Sequence, residues 1–521
     1  MIGLYFSALL FEYCKYTKKC YIRNFFVFLH PIVKIVKKIC KMKRNVKCML
    51  MAILLPCATV SAQVASVEFF PQGKALAKTY EPMFIGCDGG QAIFVQMSGR
   101  LRNKMDLVSY DMEQNELVRM PVTEDKELVC YGGYINGDSV DLLMAGWQNE
   151  GMRVYRDRRD AKSLQPSGEG LTLADYKGTQ GDKMGFSLGV SPNQQLLAGI
   201  YLIGRENQRG EMQVGLYSRE LEEYWKMDSR CRGFNMVYVT DSGEVLLGYQ
   251  SGGKYTLHIL DGEREDEYSF EGDENVAEVR IARYADGKVY LVFTHSDKTD
   301  WGGSGTMVDY VGAICFDTRT KSVKVERHNI DKVEYNRLNN EKDDARVRND
   351  DYRVVYMSLN QTLEDKDGCY AMLDQSWRVI LDGVPTEFHR MGMMVCRIGQ
   401  DGRFEWEKTF RVSNVTSWEA QSLASYRWVN TEKGPVLVWV ESKSTYDEPE
   451  EKTVKDYKML NSAGILSAMR LGKDGSATRQ HYEISSKQSL LGAPHLMDNG
   501  DYLLLVRGGS RGYFAKMKLE K

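Results

Sequence analysis

The feature that most constrains this chain is a recurring unit. A turn centred on Gly, Asn or Asp is followed at once by an apolar run of β-forming residues. It reads Asp88-Gly89-Gly90 before Ala92-Ile93-Phe94-Val95, and Asn136-Gly137 before Val140-Asp141-Leu142-Leu143-Met144. It returns at Ser191-Pro192-Asn193, Asp241-Ser242-Gly243, Asp286-Gly287, Asp367-Gly368, Lys433-Gly434 and Asn499-Gly500. Asn-Gly and Asp-Gly between apolar runs are hairpin signals, because Gly, Asn and Asp accept positive φ at low cost. An apolar stretch precedes most copies, and an alternating strand, a polar turn and another strand follow. Each copy therefore reads as four short antiparallel strands. The glycines at 90 and 137, and at 243 and 287, stand 47 and 44 residues apart. Longer steps of 81 (287 to 368) and 66 (434 to 500) imply inserted loops.

This arrangement resembles β-propellers as an architecture, over nearly all of residues 64–521, and no named family within them. The sequence has no WD series, no regular kelch double-glycine series and no Asp-box ladder. The expected fold is all-β, a β-propeller of four-stranded antiparallel blades. Eight copies favour eight blades, with seven as the alternative if one copy is a decoy. Two β-sandwich domains are the rival, but no linker separates the repeats. The last copy stops after a third strand at 512–519, so residues 64–70 are expected to supply its outer strand and close the ring. Closure protects sheet edges that would otherwise be exposed. The resemblance implies a fold and no activity.

The formal net charge of −2 conceals two unlike parts. Residues 1–62 hold 11 Lys and Arg against Glu12 alone; removing them leaves 58 basic and 70 acidic residues in 63–521. From Met42, a basic start (Lys43, Arg44, Lys47), an apolar segment at 48–60 and Val60-Ser61-Ala62 before Gln63 form an export-signal pattern. It resembles the signals of Gram-negative bacteria. The expected organisation is a spurious extension at 1–41, a signal peptide at 42–62 and a propeller domain at 63–521. The expected location is the periplasm or cell surface. Lipoprotein processing at Cys57 is a lesser alternative, because Pro56 stands where a small residue is wanted. The acidic mature part disfavours nucleic acid, and no membrane span is expected in it. Its six cysteines are far apart and read as small buried hydrophobes rather than staples.

Motifs that carry chemistry are sparse. Gly185-Phe186-Ser187-Leu188-Gly189 fits the G-x-S-x-G elbow, but an apolar strand follows it where that chemistry needs a helix. Gly302-Gly303-Ser304-Gly305 lacks the Lys and helix of a phosphate loop. Acids at 343–351 and 448–456 fit no calcium loop. No two of the six mature histidines have metal-ligand spacing, and neither metal nor cofactor is expected. The loops following the second strands of copies five to seven (295–311, 374–391, 441–461) and the connection 328–352 are long, and long loops are often functional. They carry His295, Trp301, Trp377, His389, Arg390 and Tyr446; shorter loops opposite add Trp147 and Arg205. Aromatic rings beside charged groups suit sugar or peptide surfaces. The expected function is a monomeric, non-catalytic propeller that binds an envelope protein or glycan. The alternative is a glycan-active hydrolase or lyase at the loop-rich face.

Overall fold

The turn signals become hairpins. Asp286 and Gly287 take φ of 54° and 73°, the pair of positive values a two-residue type I′ turn requires, and Ala285 pairs with Lys288 across them. The computed structural model describes residues 64–519 apart from 70–82, 205–210, 297–305, 331–355, 418–425, 443–456 and breaks of at most five residues.

The strands form eight sheets, antiparallel throughout except for one short parallel pair. Blades 1 to 7 are each a four-strand antiparallel meander of strands in chain order, at residues 83–121, 128–177, 183–229, 236–271, 276–329, 356–417 and 426–483. The eighth sheet is composite. Gln488–Leu490, His495–Leu496, Tyr502–Gly508 and Arg511–Leu519 form its inner part, and Val64–Phe69 pairs antiparallel with Arg511–Leu519 on the outside. The expected closure by the N-terminal strand is therefore present, and the blade count is the seven of the alternative rather than the favoured eight. Seven blades are contiguous four-stranded units, and an eighth sheet joins the two ends of the ring. The chain folds as a β-propeller. No helix among the described residues is long and apolar enough to cross a membrane.

The second strand of each blade shows why the ring holds. Lys288–His295 reads Val-Tyr-Leu-Val-Phe without a polar break. Val289, Leu291 and Phe293 join the core shared with blade 4, while Tyr290 and Val292 join the core shared with blade 6. Strand side chains alternate between faces, so a continuous apolar run means a strand buried on both. The same division recurs in blade 6, where Cys369, Ala371 and Leu373 face blade 5 and Tyr370 and Met372 face blade 7. Clusters of this kind link blades 1–2, 2–3, 3–4, 4–5, 5–6 and 6–7, and a larger one binds blade 7, the composite sheet and blade 1. The six cysteines of residues 63–521 are buried thiols within or beside these cores, as expected.

Aromatic stacking reinforces the seam between blades 4 and 5. Tyr255 stacks on Phe270 at 5.3 Å, and Phe270 on Phe316 at 4.5 Å. In blade 5 Gly312 lies opposite Phe293, whose ring covers it. A Cβ at 312 would sit 2.0 Å from the ring, and the ring is fully buried.

Two outcomes follow. Gly312→Ala should destabilise the protein by about 1–3 kcal/mol in chemical denaturation, the usual cost of overpacking. Removing residues 64–69 should lower the melting temperature and cause self-association on size-exclusion chromatography, because the bared edge of Arg511–Leu519 then offers unpaired N–H and C=O groups.

Candidate functional site

The first strands of the blades surround the axis. Those of blades 3 to 6 (Lys183–Val190, Met236–Val239, Val276–Ala285, Tyr356–Asp365) wall a cavity of about 670 Å³. A smaller cavity of about 270 Å³ lies between the first strands of blades 1 to 3. Side chains at alternate positions of one strand share a face. Glu278 and Arg280 of blade 5 use this spacing to clasp the backbone of one residue of blade 6: the Leu359 N–H donates to the Glu278 carboxylate, and Arg280 Nε donates to the Leu359 carbonyl at 3.1 Å. Further along, Tyr238 of blade 4 donates to Glu364 of blade 6, and buried Arg283 of blade 5 lies 3.3 Å from the same carboxylate. Arg283 also donates to the Lys366 carbonyl at 2.8 Å. Burial raises the pKa of both Glu278 and Glu364 above the usual carboxylate range; the hydrogen bonds and arginines oppose it and do not cancel it.

The loop-rich end of blades 5 to 7 departs from the expectation. Residues 374–391 do not form a loop. The second and third strands of blade 6 simply continue, as Gly368–Leu381 and Val384–Gly399, with Leu381 paired to Val384. Trp-Arg-Val-Ile-Leu at 377–381 has strand composition, and the Asp-Gly at 382–383 is a hairpin signal in the sequence that the repeat pattern obscured. The extension beyond Asp374 runs about seven residues per strand, roughly 20 Å. The fourth strand, Phe404–Ser417, climbs with it. The neighbours then add to this sheet. Thr306–Met307 from the blade 5 loop pairs antiparallel with the first strand of blade 6, and Tyr457–Lys458 from the blade 7 loop pairs parallel with Asn414–Val415. Three blades thus build one six-stranded wall.

His295 stands at the end of the blade 5 second strand. Its Nδ1 lies 2.5 Å from Asp273 and 2.6 Å from the Tyr310 hydroxyl, and its ring stacks on Tyr310 at 4.1 Å. Tyr310 also donates to Asp273, and Arg327 Nε donates to that carboxylate at 3.0 Å. Burial works to raise the Asp273 pKa, but the bonds from Tyr310 and His295, with Arg327, hold it below the usual range. The network fixes the point where the blade 5 loop departs. Trp377 and His389 are cross-strand partners in the wall, and Arg390 pairs with Ser376 beside them. Trp147 is half-buried and packs against the core between blades 2 and 3. Trp301, Tyr446 and Arg205 lie outside the described residues, as do residues 302–305, 343–351 and 448–456. Ser187 of the G-x-S-x-G match is mid-strand in Lys183–Val190, paired with Ile200. The channel residues Tyr238, Glu278, Arg280, Arg283 and Glu364 were missed. Their only sequence signal was polar residues at alternate positions of first strands, which an ordinary half-exposed strand shares.

No family model matches this chain, and no curated protein does. Solved structures are similar to it in fold. The Dos1 propeller aligns over 86% of this chain and 95% of its own at 9% identity, with a TM-score of 0.40. The WD40 domain of SCAP from fission yeast aligns over 88% and 98% at 8% identity and 0.34. The polysaccharide lyase Uly1 aligns over 89% and 95% at 10% identity and 0.36. At such identities these likenesses speak to fold alone.

The raised pKa of Glu278 has a stability consequence. Between its unfolded and folded values the native state holds more protons, so stability falls as pH rises through that interval. Glu278→Gln keeps an acceptor for the Leu359 N–H without the charge. The variant should melt higher than the parent at neutral pH, and calorimetry should show the gain shrinking as the pH drops below the ordinary Glu value of about 4.3.

Proposed function

We propose that residues 63–521 act, after export, as a monomeric, non-catalytic propeller that binds a protein partner or a glycan in the cell envelope of a Gram-negative bacterium. The observation that carries this reading is the six-stranded wall of blade 6, to which blades 5 and 7 each contribute a strand. Propeller stability does not call for it: blades 1 to 5 close their cores with shorter strands. A rigid, raised sheet on one quadrant gives an asymmetric surface, and binding residues are commonly carried on such additions to a scaffold. The export-signal pattern at 42–62 supports an envelope location.

Replacing residues 376–390 by an Asn-Gly turn shortens the wall to the height of the other blades. The parent should retain ligands on a glycan array or capture a partner from envelope extract. The shortened protein should lose that binding by about tenfold or more, equivalent to about 1.4 kcal/mol, with its melting temperature little changed. Empty results from both assays with the parent protein would overturn the reading.

A second reading, a glycan-active hydrolase or lyase, draws on Glu278. It lines the channel cavity, and the buried carboxyl of Asp374, at the foot of the wall, is close enough to raise its pKa further. Glycoside hydrolysis uses two carboxyl groups in unlike protonation states. Release of reducing ends from an envelope polysaccharide, abolished by Glu278→Gln, would favour this reading over the first.

A further inference from the structure

A second groove lies away from both the channel and the wall, between blades 3 and 4. It encloses about 1200 Å³ and is lined from blade 3 by Asp228 and the connection that follows it, and from blade 4 by Tyr249, His258 and Glu267. His258 sits on Lys254–Leu260, the third strand of blade 4, and is 5% exposed. Its Nδ1 lies 2.6 Å from Glu265. A carboxylate can only accept there, so Nδ1 carries the ring proton. Glu265 is itself fixed: it accepts from Ser229 Oγ at 3.1 Å and from the Arg230 N–H at 2.8 Å, and its side chain is 4% exposed. The imidazole is therefore held in one tautomer and one orientation, with Nε2 as its remaining acceptor. Among the described residues Nε2 has no hydrogen-bond partner. His258 lines the groove and its Nε2 is not sealed from solvent, so the donor it takes comes from water or from a ligand seated in the groove.

We infer that this groove is a saccharide-binding site, with His258 Nε2 accepting a hydrogen bond from a sugar hydroxyl. This goes beyond the wall-based reading and does not depend on it. A hydroxylated ligand matches the lining, because its groups both donate and accept. Asp228 and Glu267 offer acceptors and Arg230 offers donors around the histidine. Tyr249, 47% exposed, supplies a flat ring for the apolar face of a pyranose. A peptide bound by strand addition has no place on the floor, because Lys254–Leu260 is paired on both sides, with Val245–Ser251 and Glu265–Glu271. The acidic balance of residues 63–521 disfavours phosphorylated or otherwise anionic ligands.

The test titrates the full-length mature protein, by calorimetry, with neutral hexasaccharides of glucose (α- and β-linked), xylose, mannose and N-acetylglucosamine. At least one should bind. The Tyr249→Ala variant, altered at the lip and expected to fold as the parent does, should weaken that affinity severalfold. His258→Phe, which keeps a ring but no acceptor, should weaken it by about tenfold or more, as for loss of a buried hydrogen bond. In protein labelled with ¹⁵N-histidine, the His258 Nε2 resonance should shift on addition of the sugar; this readout does not depend on a variant folding. The protein with the shortened blade 6 wall should bind the sugar as the parent does, which separates this inference from the wall reading. Absence of binding to every sugar, or binding that leaves the Nε2 resonance and the Tyr249→Ala affinity unchanged, would overturn it.

Discussion

A β-sheet that is apolar on both faces cannot stand alone in water, and every blade here contains such a sheet. Second strands such as Lys288–His295 place alternate side chains in two different interblade cores, so each blade is completed only by its neighbours on either side. From this the ring follows. A row of such sheets would leave an apolar face bare at each end, and packing the composite sheet against both blade 7 and blade 1 covers the last two faces in a single cluster. The axial cavity follows as well, since sheets packed radially bring their first strands together around a centre.

The axis is where polar chemistry becomes unavoidable. Apart from the short pairing of Thr306–Met307 with that of blade 6, first strands have one hydrogen-bonded neighbour within their own sheet, so the edge toward the axis needs other partners. Glu278 and Arg280 supply them for Leu359, and Tyr238, Arg283 and Glu364 tie blades 4, 5 and 6 together by side chains alone. Carboxyls that serve this purpose are desolvated by it, which is why Glu278 and Glu364 keep their protons to higher pH than exposed glutamates do.

The fold was legible because its signal repeats. Eight turn-and-run units, each weak alone, agree on one architecture, and even the exchange of the outer strand at 64–69 could be read from a last unit that lacked one. The sites were less legible, for three physical reasons. The wall hides in a segment whose length suggested a loop, although Asp382-Gly383 and the β-forming residues around it carry the hairpin signal. His295 stood out as a histidine near a strand end, but its partner Asp273 is 22 residues away and Arg327 lies 54 residues from that acid, so no short motif joins them. The inner-strand acids look like any alternating polar residues until the ring turns them toward the axis.

The pairing of Val64–Phe69 with Arg511–Leu519 joins positions that synthesis separates by almost the whole propeller. Contacts at such separation form late, because the loop between them must be ordered first. The strand at 64–69 is thus among the last to be placed, and through the intervening time the C-terminal sheet keeps an open edge. The seven contiguous blades can assemble in order as they appear, whereas the seam must wait for both ends. Its weakness or strength governs how fast the ring reopens, and with it how long the protein survives a protease that attacks open forms.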